Sequence, residues 1–125
     1  MRLFIFAFFI SLSILSASCT KEVKYSKEEL LKKAQAADSS VQLILPRSIN
    51  EGISCSVYTE GCVSGHTVKV KNLELIAVEF MTEEQAKYAA KKVRGYYSRN
   101  WLFDDVTGEP ILEEFVSRVL DAKKP

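Results

Sequence analysis

The sequence predicts a small α+β domain behind an export segment, and three observations carry that prediction. Capping-box spacings at Ser26 and Thr82 open two helical patterns. Alternating or continuous apolar runs between Val41 and Phe80 read as strands. The first nineteen residues place one charge, Arg2, before thirteen uncharged residues, Leu3 to Leu15, and then small Ser16-Ala17-Ser18 before Cys19. That order is the pattern of an export signal. As a helix the apolar run rises only about 20 Å, against roughly 30 Å of bilayer hydrocarbon, so a permanent span is disfavoured.

Leu15-Ser16-Ala17-Ser18-Cys19 resembles the lipobox of bacterial lipoproteins, with Ser16 in the place where that family usually has Leu. The resemblance implies that Cys19 becomes the mature N-terminus, carries a lipid and holds the domain to a membrane of the cell envelope. Ser16 and Ser18 would also serve ordinary signal cleavage. Cysteine parity favours the lipid: Cys55 and Cys62 can pair with each other in an exported, oxidising compartment, which leaves Cys19 over. The expected organisation is therefore a signal over 1–18, a lipidated N-terminus and linker over 19–25, and one domain over 26–125.

Removing eighteen residues from 125 leaves 107, enough for one small core. The chain has 17 Lys+Arg and 16 Asp+Glu; without Arg2 the mature side chains balance. A neutral, exported domain has no electrostatic case for nucleic acid. No cofactor-binding motif and no internal repeat is present.

Thr20 to Tyr25 is charged and lacks hydrophobic period, and reads as the linker. Ser26-Lys27-Glu28-Glu29 caps a first helix with Leu30, Leu31, Ala34 and Ala37 on one face. Val41 to Leu45 reads as a strand stopped by Pro46, and Asn50-Glu51-Gly52 as a turn. Ile53 to Tyr58 alternates with period two and predicts a second strand, turning at Thr59-Glu60-Gly61. His66 to Lys71 alternates again, and Leu73 to Phe80 is apolar enough for burial on both faces. Thr82-Glu83-Glu84-Gln85 then opens a helix whose stripe runs through Ala86, Ala89, Ala90, Val93, Tyr96 and Tyr97, with Gly95 as a close approach or fraying end. Trp101 to Val106 reads as a last strand. Pro110 suits the first position of a closing helix with Leu112, Phe115, Val116, Val119 and Leu120 inward, and Lys123-Lys124-Pro125 frays. The strand ending at Phe80, the helix and the strand from Trp101 form a right-handed crossover with parallel strands. The expected architecture is thus a mixed sheet of about four strands with two or three helices, broadly ferredoxin-like in kind.

Four groups of residues could carry function. Cys55 and Cys62 can face each other across a hairpin; a structural disulfide is preferred to a redox or metal site completed by His66, because zinc wants four ligands and the spacing is not CxxC. His66, the single histidine, has Ser64 and Ser54 nearby but no nucleophile elbow around either. Asp104-Asp105 ends a strand beside Trp101 and Phe103, and is the best acid–base candidate should the protein be an enzyme with a cleft there. Glu83-Glu84 and Glu113-Glu114 fall in first helical turns, where the helix dipole is reason enough for them. Lys87, Lys91 and Arg94 share one helix face, with Arg99 and Trp101 close behind. Together they form a candidate face for a protein partner or an anionic surface. With no complete catalytic set, the expectation is a non-enzymatic envelope lipoprotein that binds a partner near a membrane.

Overall fold

Helix signals at Ser26 and Thr82 are realised as written. In the computed structural model, which describes residues 23–125, Ser26 Oγ accepts from Glu29 N–H at 3.1 Å and opens α1, Lys27–Ala37. Thr82 Oγ1 accepts from Gln85 N–H at 3.2 Å and opens α2, Glu83–Val93. The closing helix α3, Pro110–Val119, starts on its proline. The export segment and Cys19 lie outside the described residues.

Among the described residues five strands form one sheet: β1 Gln42–Ile44, β2 Cys62–Val70, β3 Leu73–Phe80, β4 Tyr96–Ser98 and β5 Trp101–Asp104, in the order β1-β2-β3-β5-β4. The class is α+β, as expected, but every pairing is antiparallel. The expected parallel crossover fails because a short strand was hidden in the helix pattern. Helix α2 stops at Arg94, which is left-handed at φ 55°, and the N–H groups of Arg94 and Gly95 both return to the Ala90 carbonyl. Gly95 is required there: a Cβ would lie 2.6 Å from the Phe103 carbonyl oxygen. Tyr96 and Tyr97 therefore leave the helix and become β4, and the Arg99-Asn100 turn reverses the chain before β5. One extra reversal makes β5 antiparallel to β3. The order of helices and strands consequently differs from a ferredoxin-like βαββαβ arrangement.

Helices cover both faces of the sheet. Alternation along β3 sends Leu75 and Ala77 to one face, where Val68, Val70, Tyr96, Trp101 and Phe103 meet Leu30 and Ala34 of α1 and Leu112 and Val116 of α3. It sends Val78 and Phe80 to the other, where Tyr97 and Leu102 meet Ala86, Ala89 and Ala90 of α2. The near-continuous apolar run of β3 is the consequence of this double burial.

The expected strand over Ile53 to Tyr58 is absent; the segment forms a 3₁₀ turn, Cys55–Val57, after another at Ile49–Glu51. Ser54 Oγ accepts from Ser56 N–H, a local alternative to a strand ladder. Packing also demands the turn. Ile53 lies over Gly65, where a Cβ would meet its Cγ2 at 2.3 Å, and Tyr58 packs on the α2-side core. Five residues apart, they would point to opposite faces of a strand; the turn brings both onto the sheet.

Tyr25, expected in the linker, belongs to the domain. It is buried, its N–H donates to Asn100 Oδ1 at 2.8 Å, and its carbonyl accepts from Trp101 Nε1 at 2.9 Å and Asn100 Nδ2 at 3.3 Å. Asn100 Nδ2 also reaches the Phe80 carbonyl at 3.4 Å, and the Asn100 carbonyl accepts from Phe80 N–H at 2.7 Å. Asn100→Ala leaves the buried Tyr25 N–H unpaired, a penalty on the order of 1–3 kcal/mol beyond the bonds lost. The expected result is a domain destabilised by about 2–3 kcal/mol with an unchanged denaturant slope, read by urea unfolding followed by tryptophan fluorescence.

Candidate functional site

The basic face forms, and it is recomposed. Burial of Ala86, Ala89 and Ala90 turns Lys87, Lys91 and Arg94 outward on the solvent side of α2. The C-terminal residues, expected to fray, are held beside them: Lys123 and Tyr97 exchange backbone hydrogen bonds at 2.9 Å in both directions. This sets Lys123 Nζ 5.6 Å from the Tyr97 ring centroid and Lys124 Nζ 5.8 Å from that of Tyr96. Lys124 then joins Lys91 and Arg94 around a surface groove of about 280 Å³ that also includes Thr107 and Pro125. The Thr107 hydroxyl donates to the Arg94 carbonyl and ties the α2 end to the loop before α3. Nothing in the sequence marks Lys124, because its place depends on a bridge to β4, whose Tyr96 and Tyr97 also fit the helical spacing before them.

Two expected members of that face sit elsewhere. Trp101 is 1 % exposed and spends its indole N–H on the Tyr25 carbonyl, so it cannot touch a partner. Arg99 lies in the β4–β5 turn with its guanidinium 3.9 Å from the Tyr25 ring centroid, a cation–π contact at the other end of the sheet.

Cys55 and Cys62 are joined as a disulfide with Cα atoms 5.5 Å apart. The bridge links the 3₁₀ turn to the start of β2 rather than two strands of a hairpin. Closing a loop this short stabilises by about 2.5 kcal/mol on the chain-entropy argument. His66 does not join the cysteines. Cys62 packs on the α2-side core, whereas the His66 ring lies on the opposite face, 6.2 Å from the Trp101 ring centroid. Among the described residues no three His, Cys, Asp or Glu side chains cluster as metal ligands would.

His66 does find Ser64, its neighbour two residues along β2, with Oγ and Nε2 3.0 Å apart. Glu79 stands opposite Ser64 in the β2–β3 register. Burial, and after it the charge of Lys27, lowers the His66 pKa. Burial, reinforced by Glu28 and opposed by Lys27 and Lys24, raises that of Glu79. A neutral imidazole can accept a serine proton, but Lys27 opposes the imidazolium that general-base catalysis must form. The adjoining space under α1, between Leu30, Trp101 and Phe103, is apolar and about 20 Å³, room for roughly one water. The pair serves to satisfy two half-buried polar groups within the sheet.

Asp104 and Trp101 do not share a cleft, because three residues along β5 place them on opposite faces. Asp104 accepts from Tyr58 Oη at 3.0 Å through one oxygen and from Asp105 N–H at 2.8 Å through the other. Burial first, and then Asp104, raises the Tyr58 pKa, so the phenol remains the donor. Asp105 is exposed, has a positive φ of 61° and turns the chain, a structural task.

No protein-family model matches the chain, and comparison with curated proteins and with solved structures finds no match. Function rests on the site geometry.

The displaced His66 titration has a measurable consequence. An unfolded chain binds a proton on this imidazole near pH 6.5, whereas the folded domain does so only at lower pH. The unfolded state therefore holds more protons in that window, and stability falls as pH drops below 6.5. Glu79 acts oppositely nearer its ordinary 4.5, since its folded carboxyl takes up a proton first. His66→Gln should flatten the decline that sets in below pH 6.5 in urea unfolding series, and the wild-type ring resonances should titrate with a midpoint below the free-imidazole value.

Proposed function

We propose that the protein is an exported lipoprotein of the bacterial cell envelope, tethered through a lipid on Cys19, whose domain binds a protein partner through the basic face of α2. The observation that carries this reading is the gathering of Lys87, Lys91, Arg94 and Lys124 on one side of a domain that is neutral as a whole. The ion pairs Lys33–Asp121 and Arg118–Glu114 lie elsewhere. A basic patch on a neutral body suits recognition of an acidic surface, where complementarity governs specificity and the rate of encounter.

The tether supports the same reading. Tyr25 is the first buried residue among those described and is pinned beside Phe80 and Asn100, where α2 also begins. The eleven residues of α2 carry the chain about 16 Å away from that end. Lys91 and Arg94 thus stand far from the point where the tether leaves, while five residues, Thr20 to Lys24, reach at most about 17 Å. A domain held this closely offers its basic face away from the anchoring membrane.

Two experiments test the two halves separately. Reversing Lys87, Lys91 and Arg94 together to Glu should abolish specific crosslinks formed in intact cells by a photoreactive residue at Tyr88, at least a tenfold loss, with thermal unfolding unchanged; persistence of the crosslinks removes the binding reading. Cys19→Ser should shift the processed protein from the membrane to the soluble fraction on cell fractionation. Equal membrane partition after verified signal cleavage removes the anchor.

A further inference from the structure

The two edges of the sheet are treated differently. On the β4 side the C-terminal residues cover the edge through the Tyr97–Lys123 bridge. On the other side β1 pairs with only Thr67, Val68 and Lys69 of β2. Pro46, two residues after β1 ends, has no N–H to continue a ladder. The chain swings out through residues 46–52 and returns with Ile53 over Gly65. Among the described residues no strand neighbours Gly65 and His66 on that side, between the departing and returning segments, and the two floor a groove of about 440 Å³.

The groove has the size of a ligand site and a defined chemistry. One wall is Ile44, Leu45 and Pro46, the other Gly52 and Ile53. Leu45 in the first wall is open to solvent at 79 % exposure. Exposed sheet edges are normally guarded by charge or by a covering segment, so apolar groups beside an unpaired strand run against that pattern. The cations Lys27 and Arg47 line the groove, while the single carboxylate there, Glu51, accepts from the Arg47 backbone N–H at 3.0 Å. Two fixed contacts hold the returning segment in place, the Cys55–Cys62 disulfide and the Ile53–Gly65 packing, so the groove exists before anything enters it.

We propose that this gap is a docking site for an extended segment of a partner polypeptide, which adds to the open edge of β2 as a continuation of β1. The backbone groups of this stretch of β2 that point to the β1 side supply the ladder. About three residues of extended chain, roughly 10 Å, fill the gap. An apolar side chain of the segment lies against Leu45 and Ile53, and an acidic one meets Lys27 and Arg47. This is strand addition, in which main-chain bonds give affinity and alternate side chains give selectivity. The site is separate from the basic face of α2 and does not rest on it.

A phage-displayed library of linear heptapeptides, selected against the intact protein, tests the proposal, with the enriched sequence then synthesised as a capped peptide. The expected outcome is enrichment of sequences that combine an apolar residue with Asp or Glu within about three consecutive positions. Such a peptide should shift the amide resonances of Gly65, His66 and Thr67 above all others. Leu45→Asp, at a solvent-exposed position, should weaken binding at least tenfold with an unchanged circular dichroism spectrum, and Lys91→Glu should not weaken it. Absence of enrichment, binding indifferent to Leu45→Asp, or shifts centred on α2 would overturn the proposal. So would concentration-dependent self-association abolished by Leu45→Asp, because the occupant would then be a second copy of this chain.

Discussion

A buried carboxamide ties together three parts of the chain that lie far apart in sequence. Asn100 holds the backbone of Tyr25 from both sides, reaches the carbonyl at the end of β3, and itself forms the turn into β5. Trp101 adds its indole N–H to the same Tyr25 carbonyl, and Arg99 closes over the Tyr25 ring. The Tyr25 hydroxyl in turn accepts from Lys33, which pairs with Asp121 beyond α3. Burying these polar groups is tolerable only because each finds a partner, and removal of any one strands the others in a low-dielectric site. The arrangement also fixes Tyr25, so one hydrogen-bonded cluster decides both the closure of the core and the place on the domain where the residues before Tyr25 join it.

From that pin the geometry of both proposed surfaces follows. Strand β3 and helix α2 begin and end relative to it, which puts Lys91, Arg94 and Lys124 at the far end of the helix. The two sheet faces are both consumed by helices, leaving the edges and the outer helix surfaces for recognition. One edge is covered by the C-terminal residues and the other is left open beside Gly65 and His66. A protein with neutral overall charge can still present local chemistry in this way, because folding segregates what composition averages.

Much of this was legible in sequence wherever the determinants are local. Ser26 and Thr82 cap helices because their hydroxyls need only an N–H three residues on. The double burial of β3 could be read from an unbroken apolar run, and the Cys55–Cys62 bridge from the spacing of the two cysteines about a turn. The failures came from patterns that fit two structures. A stripe through Tyr96 and Tyr97 continues a helix on paper, and Gly95 alone signalled the break that tight passage against Phe103 enforces. The alternation of Ile53 to Tyr58 suits a strand, yet both end residues pack on the sheet and a turn is the conformation that permits it.

The sequence by itself determined the class, the helix starts, the strongest strand, the disulfide and the basic helix face, since each depends on residues within a turn or two of one another. Tertiary structure decided strand direction, the recruitment of Lys124, the withdrawal of Trp101 into the core, the separation of His66 from Cys62, and the open edge of β2. Each of these depends on which segments meet across the sheet. Such meetings are set by the balance of burial, close backbone approach and hydrogen-bond satisfaction over the whole domain, and no local spacing encodes it.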